Sequence, residues 1–241
     1  AMKNYRYKIM IMDMKCAFLY GWILRNVYIE LPHTDPRYGD ATVVGKLKKA
    51  MYGTRDAPQI WAEVVRSTME SFGYKQSVYQ PAVYHHPTKD VMVVVHVDDF
   101  LCTGNPDDLE ELYLLLKQKF DLKRTILSLD DEQEATYLNR ILKVSDMGVT
   151  LTGDYKHTEL LLKEWGIQGN SKEVNTPSLK ELEDNIGSGE ELKGEMATKV
   201  RRGVARINYV AQDRPDLSAV AKTMSQHMSK PRDGIVHHLK R

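Results

Sequence analysis

Three aspartates carry the clearest chemical signal in this chain: Asp13, and the adjacent pair Asp98-Asp99 lying 85 positions beyond it. The pair ends a Val-rich run, Val91-Met92-Val93-Val94-Val95-His96-Val97, and a second apolar run, Phe100 to Cys102, leaves it. A β-branched run of that length beside a turn signal reads as a buried strand, which puts the pair at a hairpin tip. Two ionised carboxylates repel one another, and beside an apolar sheet they are costly unless a cation neutralises them. Such a tip is a ready ligand for a hard divalent ion such as Mg²⁺. Taken alone, the pair reads more plainly as a turn with two solvated aspartates, because Asp is a standard turn residue. Asp13 is ambiguous in the same way. It lies at the far end of an apolar stretch, Tyr7 to Met14, where α/β folds place active-site groups, yet an aspartate there also caps a following turn or helix. If both stretches are neighbouring strands of one sheet, three carboxylates converge on a site for two divalent ions. Two such ions activate an attacking hydroxyl and stabilise the leaving oxygen of an in-line phosphoryl transfer.

The elements that must position these residues follow from pattern. Pro58 to Gly73 reads as a helix, with Pro58 and Asp56 as start signals and Trp61, Val64, Val65, Thr68, Met69 and Phe72 on a core face. A second helix is expected from Asp107 to Phe120, its leucines at 109, 112, 115 and 116 on one packing face. Residues 136–144 and 149–152 flank Ser145-Asp146-Met147-Gly148 as a second hairpin. Tyr155 to Trp165 reads as a helix, stopped by Gly166. Residues 167–194, rich in Gly, Ser, Asn and Glu, read as a mobile linker. Three further helices are expected from Glu195 to Gln212, Pro215 to Met228 and Gly234 onward. The order predicts an α+β core with a helical appendage.

Composition narrows the classes. At 241 residues, 42% hydrophobic and 28% charged, the chain is long enough for a substantial core and ordinary for a globular protein. No apolar run reaches the roughly 18 residues of a membrane helix, so no membrane partner is expected. Cys16 and Cys102 form neither a disulfide framework nor a metal-ligand spacing, which predicts a reducing, intracellular setting. His85-His86 and His237-His238 lack supporting ligands and read as exposed loop and helix residues. Residues 130–195 hold 7 basic and 15 acidic side chains, a net of −8. Residues 196–241 hold 10 and 3, a net of +7. That basic segment suits either a phosphate backbone or the solvated face of a bundle.

The motifs together resemble the reverse transcriptase of Ty1/copia-type LTR retrotransposons over nearly the whole chain. Asp13-Met14-Lys15-Cys16-Ala17-Phe18-Leu19-Tyr20-Gly21 is similar to that family's first polymerase motif. Lys48-Lys49-Ala50-Met51-Tyr52-Gly53, with Ala57-Pro58 and Trp61, is similar to its Leu-Tyr-Gly-Leu-x-Gln-Ala-Pro-x-x-Trp segment, and Val97-Asp98-Asp99 to its Tyr-Val-Asp-Asp box. Tyr137-Leu138 resembles the primer-contacting hairpin. Asn208-Tyr209 with Arg214-Pro215-Asp216 resembles the Asn-Tyr…Arg-Pro-Asp signature, and His237 to Arg241 its closing helix.

The resemblance implies a reverse-transcriptase palm, an antiparallel sheet with helices on one face, plus a helical thumb. Residues 1–135 would be palm with partial fingers, 136–153 a primer-grip-like hairpin, and 154–241 the thumb-like region with its linker at about 167–194. Asp13 and Asp98 would bind two Mg²⁺ ions, with Mn²⁺ as an alternative, and Asp99 would support them. Met14, Cys16, Ala17, Phe18, Tyr52 and Gly53 would line the nucleotide pocket, with Phe18 under the sugar excluding a 2′-hydroxyl. Gly53 would allow close approach of a chain or ligand. Tyr137 and Leu138 would contact the primer. The implied partners are an RNA template, a DNA primer, their RNA–DNA hybrid and deoxynucleoside triphosphates, with room for self-association. The implied setting is a retrotransposon polyprotein in the cytoplasm or a virus-like particle, with nuclear access. Two rivals stay open: a non-catalytic domain of the same fold that only binds nucleic acid or a partner, and a metal-dependent nuclease.

Overall fold

A computed structural model describes residues 7–153, 155–169, 171, 174, 176 and 185–240. The chain divides into two compact units, residues 1–138 with 142–150, and residues 139–141 with 151–241.

The first unit is built on a six-stranded antiparallel sheet. Its strands are β1 (Lys8–Met14), β4 (Lys75–Gln76), β5 (Val83–His85), β6 (Val91–His96), β7 (Asp99–Gly104) and β8 (Leu122–Leu127), in the order β4-β5-β6-β7-β1-β8. The short strands β2 (Tyr28–Ile29) and β3 (Gly45–Lys46) pair separately. The central position of β1 explains why it is apolar on both faces. Met10, Met12 and Met14 alternate with Ile9 and Ile11, as the two-residue period of a strand requires.

The methionine face packs with Val91, Val93, Phe100 and Cys102 against two helices, α1 (Ala57–Ser71) and α2 (Pro106–Lys117). Trp61, Val65 and Met69 of α1 and Leu109, Leu112 and Leu116 of α2 supply the covering stripes at helical spacing. Asn105 caps α2, its side chain accepting the Asp107 N–H at 3.0 Å. Asp56 stands at the corresponding position of α1 but makes no cap hydrogen bond. Its carboxylate is held instead by the Arg25 fork, with both hydrogen bonds at 3.0 Å. The opposite face of the sheet, Ile9, Ile11 and Leu101, packs with Leu127, Tyr137, Leu142 and Val144.

Two expectations about strands change. Residues 136–144 are not one strand. They split into β9 (Glu134–Tyr137) and β10 (Arg140–Ser145), which with β11 (Gly148–Thr152) form a three-stranded sheet in the order β11-β10-β9. The break is Leu138-Asn139, at φ 49° and 59°. Two consecutive left-handed residues make the hairpin turn whose twist matches its strands. Strand β8 was not anticipated and forms an edge of the main sheet.

In the second unit, α3 (Lys156–Trp165), α4 (Gly194–Val210), α5 (Ser218–Gln226) and α6 (Gly234–Leu239) surround Trp165, Val200, Val204, Met224, Ile235 and Leu239. Glu164 joins two of them, accepting from Arg202 at 2.8 Å and also pairing with Arg206. Gly203 permits this approach: a Cβ there would lie 3.0 Å from both Trp165 Nε1 and Leu239 Cδ2. The mobile linker expected over 167–194 does not extend through its last part. Ile186 is 3% exposed within the helical core, and the Leu192 N–H donates to the Pro231 carbonyl at 2.8 Å. Residues 170, 172–173, 175 and 177–184 of that stretch lie outside the described residues. His238 is 5% exposed and belongs to the α6 core face, not to solvent as its neighbour His237 does.

Candidate active site

Strands β1 and β7 are neighbours, and Asp13 and Asp99 are direct cross-strand partners. A two-residue turn, Val97-Asp98, joins β6 to β7, and the Asp98 carbonyl accepts the Met14 N–H at 2.9 Å. The three aspartates therefore share one end of the sheet. Register extends the row on both sides, since His96 pairs with Asp99 and Lys123 of β8 pairs with Asp13. The cross-strand row reads His96, Asp99, Asp13, Lys123, all on the face opposite the helices.

Electrostatically this end is unfinished. Asp56, Asp121 and Asp131 are tied to Arg25, Lys15 and Lys8. Lys15, only two positions past Asp13, is drawn away to Asp121 at 2.8 Å. Among the described residues, no hydrogen bond or ion pair neutralises the carboxylates of Asp13, Asp98 and Asp99. Burial holds the Asp99 carboxyl above the usual carboxylate range, the charges of Asp98 and Asp13 push it further, and His96 works the other way. Among the described residues no three acidic, histidine or cysteine side chains already close around a metal position. The donor set is nevertheless all oxygen and under-neutralised, which suits a hard divalent cation.

Cys16 follows β1 in a left-handed conformation, φ 54°, and leads into a short 3₁₀ helix, Ala17–Tyr20. That turn brings the Phe18 ring to 4.6 Å from the Tyr52 ring, uniting two of the expected pocket residues. Tyr52 is half exposed, and desolvation followed by the Asp98 charge raises its phenol above the ordinary value. Met14 and Ala17 are buried and leave next to no surface of their own for a ligand to touch, whereas Cys16 is exposed. Gly53 adopts φ 90° and no protein atom lies within 4 Å of where its Cβ would be. The observed need for glycine there is the backbone angle rather than crowding by the chain. Tyr137 is 9% exposed and packs with Ile9, Ile11 and Leu142; Leu138 is partly buried against the same cluster. Neither side chain stands free at the β9–β10 turn, where the exposed residue is Asn139. Cys102 lies within the helix-covered core, and burial pushes its thiol up.

Two residues of this region escaped the sequence reading. Lys123 belongs to the unanticipated strand β8. Helical spacing puts Trp61 in the core, where it lies at 2% exposure, but its indole N–H also donates to the Val97 carbonyl at 2.6 Å.

Residues 1–158 match the family model described as "Reverse transcriptase (RNA-dependent DNA polymerase)". The chain belongs to the reverse transcriptase family. The match takes in all three sheets and all three aspartates. Similarity to curated relatives runs further, through the helical unit. The chain is 30% identical over 233 residues to the retrovirus-related Pol polyprotein from transposon RE1 of Arabidopsis thaliana, covering 95% of this chain and 15% of that protein. It is 28% identical, with the same coverage, to the RE2 counterpart from the same plant. To the counterpart from transposon TNT 1-94 of Nicotiana tabacum it is 27% identical over 91% of this chain and 17% of that protein. This reverse transcriptase chain is of the Ty1/copia type and spans less than a fifth of the length of these Pol relatives. No helix among its described residues is long and apolar enough to cross a membrane.

Proposed function

We propose that this chain is the polymerase core of an RNA-directed DNA polymerase, extending a primer 3′-hydroxyl by attack on a deoxynucleoside triphosphate. The observation that carries the proposal is the un-neutralised trio at one sheet end, with Asp13 and Asp99 in direct register and Asp98 pinned beside them. Asp13 and Asp98 would hold Mg²⁺, or Mn²⁺ in its place, with Asp99 in support. Bound there, the divalent ions supply charge neutralisation and activation of the attacking oxygen. The protein's own part is positioning. Phe18, backed by Tyr52, would lie beneath the sugar and reject a 2′-hydroxyl by contact. The backbone at Cys16 and Ala17, with Tyr52 and Gly53, would receive the nucleotide.

In this reading the first unit is palm with partial fingers at β2 and β3. The β9–β10 turn would support the primer end, and the helical unit would act as thumb. An RNA–DNA hybrid would be gripped through phosphates and shape. The basic excess of residues 196–241 is partly used within the unit itself, by Arg202 and Arg206 on Glu164 and by Arg214 on Asp216. Hybrid affinity should therefore be moderate and salt-sensitive.

Primer extension on an RNA template with Mg²⁺ and deoxynucleotides tests the proposal, with Asp98→Asn as control. Extension by the wild type alone supports it. Salt-sensitive hybrid binding without extension would turn the reading to a binding-only domain, and strand cleavage without nucleotide to a nuclease.

A further inference from the structure

The turn that carries Asp98 is held in an unfavourable backbone. Val97 has φ 55°, a left-handed conformation that a β-branched residue avoids at a cost of about 1–3 kcal/mol. Such a conformation persists only when its surroundings impose it. Here both turn carbonyls are taken: Asp98 by the Met14 N–H at 2.9 Å, and Val97 by the Trp61 indole at 2.6 Å. The indole is itself immobilised. Its ring meets Phe120 edge-on at 5.4 Å and Tyr20 at 6.2 Å, and Tyr20 meets Phe120 at 4.9 Å. The Tyr20 hydroxyl in turn accepts the Asp121 N–H at 2.7 Å. Packing alone would be met at this position of α1 by Phe, Leu or Met. Only Trp adds a donor that reaches the carbonyl one residue before Asp98, and burying that N–H without a partner is unfavourable.

We propose that Trp61 is a positioning residue, whose indole N–H clamps the Val97 carbonyl and so holds Asp98 at the sheet end it shares with Asp13 and Asp99. The clamp's benefit to an ion rests on the proposed function; the clamp itself does not.

The whole 241-residue chain is used for the test, with Trp61→Phe, Trp61→Phe/Val97→Gly and Asp98→Asn. Hydrogen exchange at the 97–99 amides judges the clamp without any ion. Faster exchange in Trp61→Phe, restored in the double variant because glycine adopts the turn freely, is the expected result. Unchanged exchange overturns the clamp. Mn²⁺ binding followed by electron paramagnetic resonance judges its consequence. Trp61→Phe should bind on the order of tenfold more weakly than wild type, the scale of one lost hydrogen bond, with recovery in the double variant. Equal binding by Trp61→Phe and wild type overturns the positioning role. No binding by wild type would sink the ion site instead, leaving the exchange result to decide the clamp. Should Trp61→Phe not fold, the wild-type indole spectrum decides. Of the signals from Trp22, Trp61 and Trp165, that of Trp61 must be the most exchange-protected; exchange as fast as that of exposed Trp22 overturns the clamp.

Discussion

Replacing Asp99 with Asn should stabilise the protein when divalent ions are absent and deprive it of stabilisation when they are present. Asp99 and Asp13 are direct cross-strand partners, so their Cβ atoms lie about 5 Å apart. Two full charges at that spacing repel by about 3 kcal/mol at the effective dielectric of a protein surface and by about 1 kcal/mol in water. Asp13 is exposed and Asp99 only partly buried, so screening selects the lower figure. A gain of about 1 kcal/mol raises the melting temperature by about 2–4 °C in a chain of this size. The pH dependence gives an independent check. Because the folded protein raises the Asp99 pKa, the native state holds the proton more firmly than the unfolded chain. Stability from this group is present below its unfolded value and lost as pH rises through the higher folded value. Asp99→Asn removes that loss, so its advantage over wild type should grow from mildly acidic to neutral pH. Divalent ion at ten times its dissociation constant should then stabilise wild type by about 1.4 kcal/mol and the variant by less. The assay is thermal melting in EDTA across this pH range, repeated with Mg²⁺. An Asp99→Asn protein that melts at or below the wild-type temperature at neutral pH in EDTA would refute the reasoning.

Phe18→Ala should admit ribonucleotides: the ratio of deoxynucleotide to ribonucleotide incorporation should fall, while the melting temperature drops through loss of the Tyr52 contact. Gly203→Ala should destabilise by about 1–3 kcal/mol in urea titration, since its methyl meets Trp165 and Leu239 at 3.0 Å. Glu164→Gln leaves Arg206, itself mostly covered, without its anion and should lower the urea midpoint, with a smaller effect at high salt. A thiol reagent should titrate one cysteine per native chain, Cys16, and two in urea, because Cys102 is buried and its thiol is held up.

The strands and helices around the site were legible wherever burial is one-sided or complete. The Val-rich run before Asp98 and the leucine spacing of α2 leave little choice of element. That β1 and β7 are neighbours was not in their periodicity; it came only from the order of motifs. Strand β8 was missed because Leu122-Lys123-Arg124-Thr125-Ile126-Leu127 does not alternate cleanly. Arg124 looks like a solvent residue, yet its guanidinium lies 3.7 Å from the Tyr113 ring centroid. The stretch 185–193 was misjudged by composition, because Ile186 and Leu192, isolated among polar residues, are what the helical core takes up. Helical spacing put Trp61 on the right face but carries no information about where an indole N–H points.

Alternation in β7 has a consequence for how errors in this chain would show themselves. Asp99 lies partly buried on the face opposite the helices, and Phe100, the next residue, is wholly enclosed beneath them. A slip or insertion of one residue in this hairpin would exchange the two, driving a carboxylate into the methionine-lined interior and an aromatic ring into water. The misaligned molecule is therefore selected against by its own folding, before any substrate is offered. Assembly of the sheet acts as a proofreading step for the carboxylates. Single-residue insertions between Val91 and Gly104 should abolish soluble protein rather than yield a folded, inactive one.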